Sequence, residues 1–137
     1  MILKKKDNSN MRRINLKGMG VALITPFRSD KSVDYDALSR LLEYQIKNGV
    51  DYIVVLATTA ETATLSEEEK RSVRDFVVER VNGRVPLVLG HGGNNTMKLI
   101  KEMDEIDLTP FDAILSVVPY YNKPSQEGIY QHYKAIA

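Results

Sequence analysis

The side chains best suited to chemistry lie in three short stretches of this chain. "LATTAE" sets two adjacent hydroxyls, Thr58 and Thr59, directly behind a run of apolar residues. "PYYNKP" sets two phenols, Tyr120 and Tyr121, in a loop bracketed by Pro119 and Pro124. "GHGGNN" adds His91 and Asn94. Two β-branched hydroxyl residues at a strand end can offer several donors to a carboxylate, or pass a proton along. A stiffly held phenol can give or take that proton. Each stretch also has a plainer reading. Turn threonines commonly bond nearby backbone, and tyrosines are enriched in subunit contacts. Spacing alone does not separate these readings.

The other polar candidates are weaker. Thr25, before Pro26, fits ordinary strand-end chemistry. His91 has no acid or second histidine near it in sequence and reads as a polar loop residue. His132, within a helical pattern, reads as a surface or packing residue. Two isolated histidines without paired acids argue against a metal site. Glu67, Glu68 and Glu69 suit the first turn of a helix, where carboxylates complement the helix dipole. Lys123 stands near a strand end, in the tyrosine loop, and is expected to be solvated.

These residues need a scaffold, and composition allows one. The chain has 137 residues, 43% hydrophobic, with 19 basic against 18 acidic side chains and a net charge of +1. That suits one globular unit and gives no bulk electrostatic reason to expect nucleic acid or an acidic membrane as partner. The absence of cysteine excludes disulfides and thiolate metal sites and is compatible with a reducing cytoplasm. No apolar run approaches the ~20 residues of a membrane span. Residues 1–17 carry two basic clusters with no apolar segment between them, and read as a solvated tail rather than a secretory signal.

From residue 18 onward one pattern is written four times: a β-rich run, a loop, then a helix. The runs are 20–27, 52–57, 85–90 and 111–119. The helices follow Asp34, the capping box Ser66-x-x-Glu69, Thr96 and Ser125, with Gly49 and Gly83 closing the first two. Residues 52–57 are apolar at successive positions, as in strands buried on both faces of a parallel sheet. A period of roughly 30 residues is that of βαβ units. A doubly wound nucleotide-binding sheet would place a glycine-rich loop after its first strand, but "TPFRSD" holds no glycine. The expected fold is therefore α/β, the first four βα units of a (β/α)₈ barrel. A complete barrel needs about 250 residues, so residues 18–137 read as its N-terminal half, stopping within the fourth helix. Such a half is expected to expose two unpaired strand edges.

Three segments, "GVALITPF", "LATTAETATLS" and "VVPYYNKPSQEGIYQHYKAIA", resemble the N-terminal half of the dihydrodipicolinate synthase family, from about Gly18 to the last residue. The final segment is the most specific. The resemblance implies a (β/α)₈ barrel, a cytoplasmic homo-oligomer built as a dimer of dimers, and no cofactor or metal. It implies condensation of pyruvate with L-aspartate 4-semialdehyde in lysine and diaminopimelate biosynthesis, through a lysine Schiff base that turns the pyruvate methyl into an enamine nucleophile. By the same resemblance Thr58 and Tyr121 belong to a catalytic proton relay and Thr59 holds the pyruvate carboxylate. Tyr120 lies at the tight-dimer interface.

Three departures stand out. Ala57 and Ala60 replace glycines of the family's usual loop, and alanine disfavours positive φ. Lys98 and Lys70 replace an acid and a histidine of the family's lysine-inhibitor site, of which Asn94 is retained. Two added ammonium groups imply weak feedback inhibition by lysine. The Schiff-base lysine, a further relay tyrosine and a carboxylate-binding arginine belong to later strands, so the 137 residues alone are expected to be inactive. Two other readings remain. One is an aldolase like N-acetylneuraminate lyase; the other is a non-catalytic half-barrel that associates through its open edges.

Overall fold

The computed structural model describes residues 16–137, together with the backbone of Ile2–Leu3. Four parallel strands lie side by side in chain order: β2 (Gly20–Ala22), β3 (Tyr52–Val55), β4 (Leu87–Gly90) and β5 (Ala113–Leu115). A fifth strand, β1 (Ile2–Leu3), runs antiparallel along the outer side of β5. Helices α1 (Tyr35–Lys47), α2 (Glu67–Val81), α3 (Thr96–Glu105) and α4 (Gln126–Ile136) follow β2 to β5 in turn. Strands that neighbour one another in space in the same order as in sequence leave no point at which the winding reverses. A doubly wound sheet requires such a point. Repeated right-handed βα winding in one direction is the geometry that closes barrels.

The strands are shorter than their apolar runs because the chain leaves the ladder early. After Val55 the backbone of Leu56 turns left-handed, with φ of 56°. The chain after Ala22 makes one more ladder bond, from Leu23 N–H to the Val54 carbonyl at 2.9 Å, and then bends away. Of the two expected unpaired edges, that of β5 carries Ile2–Leu3 on its far side, while among the described residues β2 pairs with β3 alone. Of the expected tail, residue 1 and residues 4–15 fall outside the described residues.

The helices cover one face of the sheet. Ile53, Val55, Leu87 and Leu89 point into a core with Leu38 and Leu42 of α1 and Val73, Val77 and Val81 of α2, all buried. Burying each such side chain contributes about 1.5–3 kcal/mol. Val54, Val88 and Ala113 form a smaller cluster with Leu16 and Leu115. A third joins Leu99, Ile114 and Ile136 and couples α3 to α4.

Caps follow the sequence closely. Asp34 accepts from Ala37 N–H at 2.9 Å, and Ser66 and Glu69 form the reciprocal capping box. Ser125 accepts from Gly128 N–H at 3.1 Å. The exception is α3, whose cap is Asn95, accepting from Lys98 N–H at 3.0 Å. The Thr96 hydroxyl instead meets Nδ1 of the buried His132 at 2.8 Å.

Candidate active site and adjoining cavity

In a parallel sheet all C-terminal strand ends share one edge, so the loops after β2, β3, β4 and β5 emerge together. Thr58 and Thr59 occupy a single 3₁₀ turn, Thr58–Ala60, immediately beyond β3. The turn is closed by Ala60 N–H on the Ala57 carbonyl and Glu61 N–H on the Thr58 carbonyl, both at 3.0 Å. Both threonines are exposed, while Ala60 behind them is buried. This turn also resolves the two alanines. Ala57 is extended, with φ of −81°, and Ala60 is right-handed. The left-handed positions are Leu56 and Glu61, each with φ of 56°. Alanine is thus accommodated because its neighbours carry the strain.

Two contacts hold the turn from opposite sides. The buried Thr25 hydroxyl, arriving from the chain after β2, donates to the Ala60 carbonyl at 2.8 Å. On the other flank Gly90 ends β4 so close to the turn's entry that a Cβ there would lie 2.5 Å from the Leu56 carbonyl oxygen and 2.6 Å from Ala57 Cα. Only glycine allows that approach.

The tyrosine loop follows β5. Tyr121 is 93% exposed and left-handed, with φ of 70°; Lys123 is also left-handed, at 47°, and exposed. A bulky residue with positive φ is uncommon and stays only where its surroundings fix it. Here the Asn94 side chain, from the loop after β4, accepts from Tyr120 N–H at 2.7 Å, tying the two loops together. The threonine turn and the tyrosine loop lie on strands separated by β4 alone.

Behind them is a cavity of about 510 Å³ between the start of α2 and the inner side of α3. Asn94, Lys98, Lys70 and Tyr120 all line it, with Glu67 and Glu102. The two lysines are paired: Lys70 with Glu67 at 3.0 Å and Lys98 with Glu102 at 3.3 Å. The Lys70 ammonium holds the Glu67 carboxyl below its ordinary range. Glu102, and then Glu67, raise the Lys98 ammonium. His91 lies on the same wall, its Nε2 at 3.2 Å from the Leu99 carbonyl and 3.7 Å from Glu102. Sequence reading missed the Thr25 and Asn94 tethers, because each bonds a backbone group that propensity does not reveal. Among the described residues no cluster of three or more metal-ligating side chains occurs. No helix among them is long and apolar enough to cross a membrane.

A singly wound βα sheet with hydroxyl and phenol groups gathered at the C-terminal strand ends defines the N-terminal portion of a barrel-type α/β protein. Residues 15–137 match the Dihydrodipicolinate synthetase family, and the chain belongs to that family. Among its relatives, the 4-hydroxy-tetrahydrodipicolinate synthase of Parabacteroides distasonis is 65% identical over 127 residues, covering 93% of this chain and 43% of the relative. Two solved structures have the same fold. The dihydrodipicolinate synthase of Acinetobacter baumannii complexed with pyruvate superposes with a TM-score of 0.80 at 43% identity, covering 89% of this chain and 42% of that one. That of Cyanidioschyzon merolae with lysine bound gives 0.79 at 37% identity, covering 88% and 41%. The chain therefore spans about two fifths of the length of the relatives it matches.

Proposed function

We propose that this chain supplies the threonine–tyrosine half of a 4-hydroxy-tetrahydrodipicolinate synthase site, acting in the cytoplasm on pyruvate and L-aspartate 4-semialdehyde. The observation that carries the reading is the tethered 3₁₀ turn, which presents Thr58 and Thr59 side by side at the sheet edge that also bears Tyr121. In the reaction a lysine amine condenses with the pyruvate carbonyl, losing water. The protonated imine then releases a methyl proton to give an enamine, whose carbon attacks the aldehyde and forms the new C–C bond. Thr59 donates to the pyruvate carboxylate, while Thr58 and Tyr121 pass protons between the reacting groups and solvent. We assign the lysine to a part of the barrel outside these 137 residues, which span about two fifths of the relatives' length.

Tyr120 is assigned to a contact between two copies. Its 53% exposure, next in the chain to Tyr121 at 93%, supports an aromatic surface that a second subunit covers. The cavity is assigned as an inhibitor site that has lost its ligand. Lys70 and Lys98 hold the carboxylates that an amino acid's ammonium group would need.

The test is a chimera in which this chain replaces the matched segment of the Parabacteroides distasonis synthase. An active chimera supports the reading, and an inactive but folded one overturns it. In parallel, the 137-residue chain incubated with pyruvate and borohydride should gain no mass. An adduct would contradict the placement of the nucleophile elsewhere.

A further inference from the structure

We infer that Thr25 is a positioning residue: its buried hydroxyl sets the 3₁₀ turn so that Thr58 and Thr59 face the substrate in register. This rests on the synthase reading of that turn. Nothing about Thr25 in isolation requires it to be polar. It is 4% exposed, alternating with exposed Ile24 so that it falls on the same side of its segment as buried Leu23. A buried hydroxyl is retained only with a partner, and its partner is the Ala60 carbonyl, 2.8 Å away and 35 positions along the chain.

That carbonyl ends the 3₁₀ turn, one residue before left-handed Glu61. It therefore lies where the backbone is least constrained by the β3 ladder, whose last paired residue is Val55. Between Val55 and Ala60 the chain passes left-handed Leu56 and turns above Gly90. Gly90 limits how near the turn sits to β4, and Thr25 limits how far it drifts from the chain after β2. The two threonines stand on the three-residue turn between these limits. A proton relay and a carboxylate clamp both need their hydroxyls held to within a fraction of an ångström, since a 1 Å misplacement can cost about 100-fold in rate.

Three variants test this: Thr25→Val, which keeps shape but removes the donor; Thr25→Ser, which keeps the donor; and Gly90→Ala, which pushes from the other side. In the 137-residue chain with labelled threonine methyls, Thr25→Val should displace the Thr58 and Thr59 resonances, and Thr25→Ser should leave them near their original positions. In the chimera, Thr25→Val should lower kcat and raise KM for pyruvate, with kcat/KM falling roughly 10- to 100-fold, and Thr25→Ser should restore most of it. Gly90→Ala should displace the same resonances.

If Thr25→Val lowers Tm but leaves the resonances and both kinetic constants unchanged, Thr25 is only a packing residue and the inference fails. Failure of Thr25→Ser to restore the resonances also overturns it. An inactive parent chimera would sink the synthase reading instead. The resonance shifts would still decide whether Thr25 sets the turn.

Discussion

Glu67 is the residue on which the charges of the cavity converge. Lys70 pairs with it at 3.0 Å, and Lys98, bonded to Glu102, adds to the field that lowers its carboxyl. A carboxyl held below its ordinary value of 4.5 contributes stability that is present above that value and lost as pH falls through the lowered one. Glu67→Gln should therefore be less stable than the parent at neutral pH, and the difference should vanish in acid. Denaturant melts across pH 2–7 measure this; a difference that persists in acid would refute the pairing. The same pairs decide the ligand question. Isothermal calorimetry on the chimera should find little or no heat for L-lysine, and tight binding would show that the carboxylates can be shared. The sequence made Thr58, Thr59 and Tyr121 visible because hydroxyls at strand ends are conspicuous against an apolar run. It marks Thr25 only as ordinary strand-end chemistry, since the partner of that hydroxyl is a carbonyl 35 residues away.

At the scale of elements, the caps carry most of what local sequence can specify. Ser66 and Glu69 satisfy each other's backbone N–H groups, with Glu69 Oε2 at 2.8 Å from Ser66 N and Ser66 Oγ at 3.2 Å from Glu69 N. Ser66→Ala should cost about 1 kcal/mol, readable as a lowered Tm with the fold unchanged. A neutral outcome would mean that α2 is held by Val73, Val77 and Val81 alone. Such signals are legible because cap and partner lie within one turn. Strand ends are less legible, because they depend on neighbours: Tyr52–Val55 ends at left-handed Leu56, whereas the apolar run continues to Ala57. The cap of α3 is Asn95, one position before the Thr96 that local sequence points to, for a similar reason: the hydroxyl of Thr96 is engaged by His132 on α4.

At the scale of the molecule, the order β2-β3-β4-β5 is the property that makes this a portion of a barrel. The parallel order followed from the repeat of strand and helix. The antiparallel strand Ile2–Leu3 beside β5 did not, because no periodicity marks two residues. With β2 paired on one side only among the described residues and Tyr121, Met97 and Ile24 exposed, the 137-residue chain should self-associate. Sedimentation velocity should show concentration-dependent growth, and a single monomeric species at all concentrations would contradict it. The central claim, that this chain holds the threonine–tyrosine half of a synthase site, is tested most directly by pyruvate–aspartate semialdehyde condensation in the chimera. The parent should turn over, and Thr58→Val and Tyr121→Phe should each lose roughly 100-fold or more in kcat while remaining folded. Full activity in both variants would contradict it.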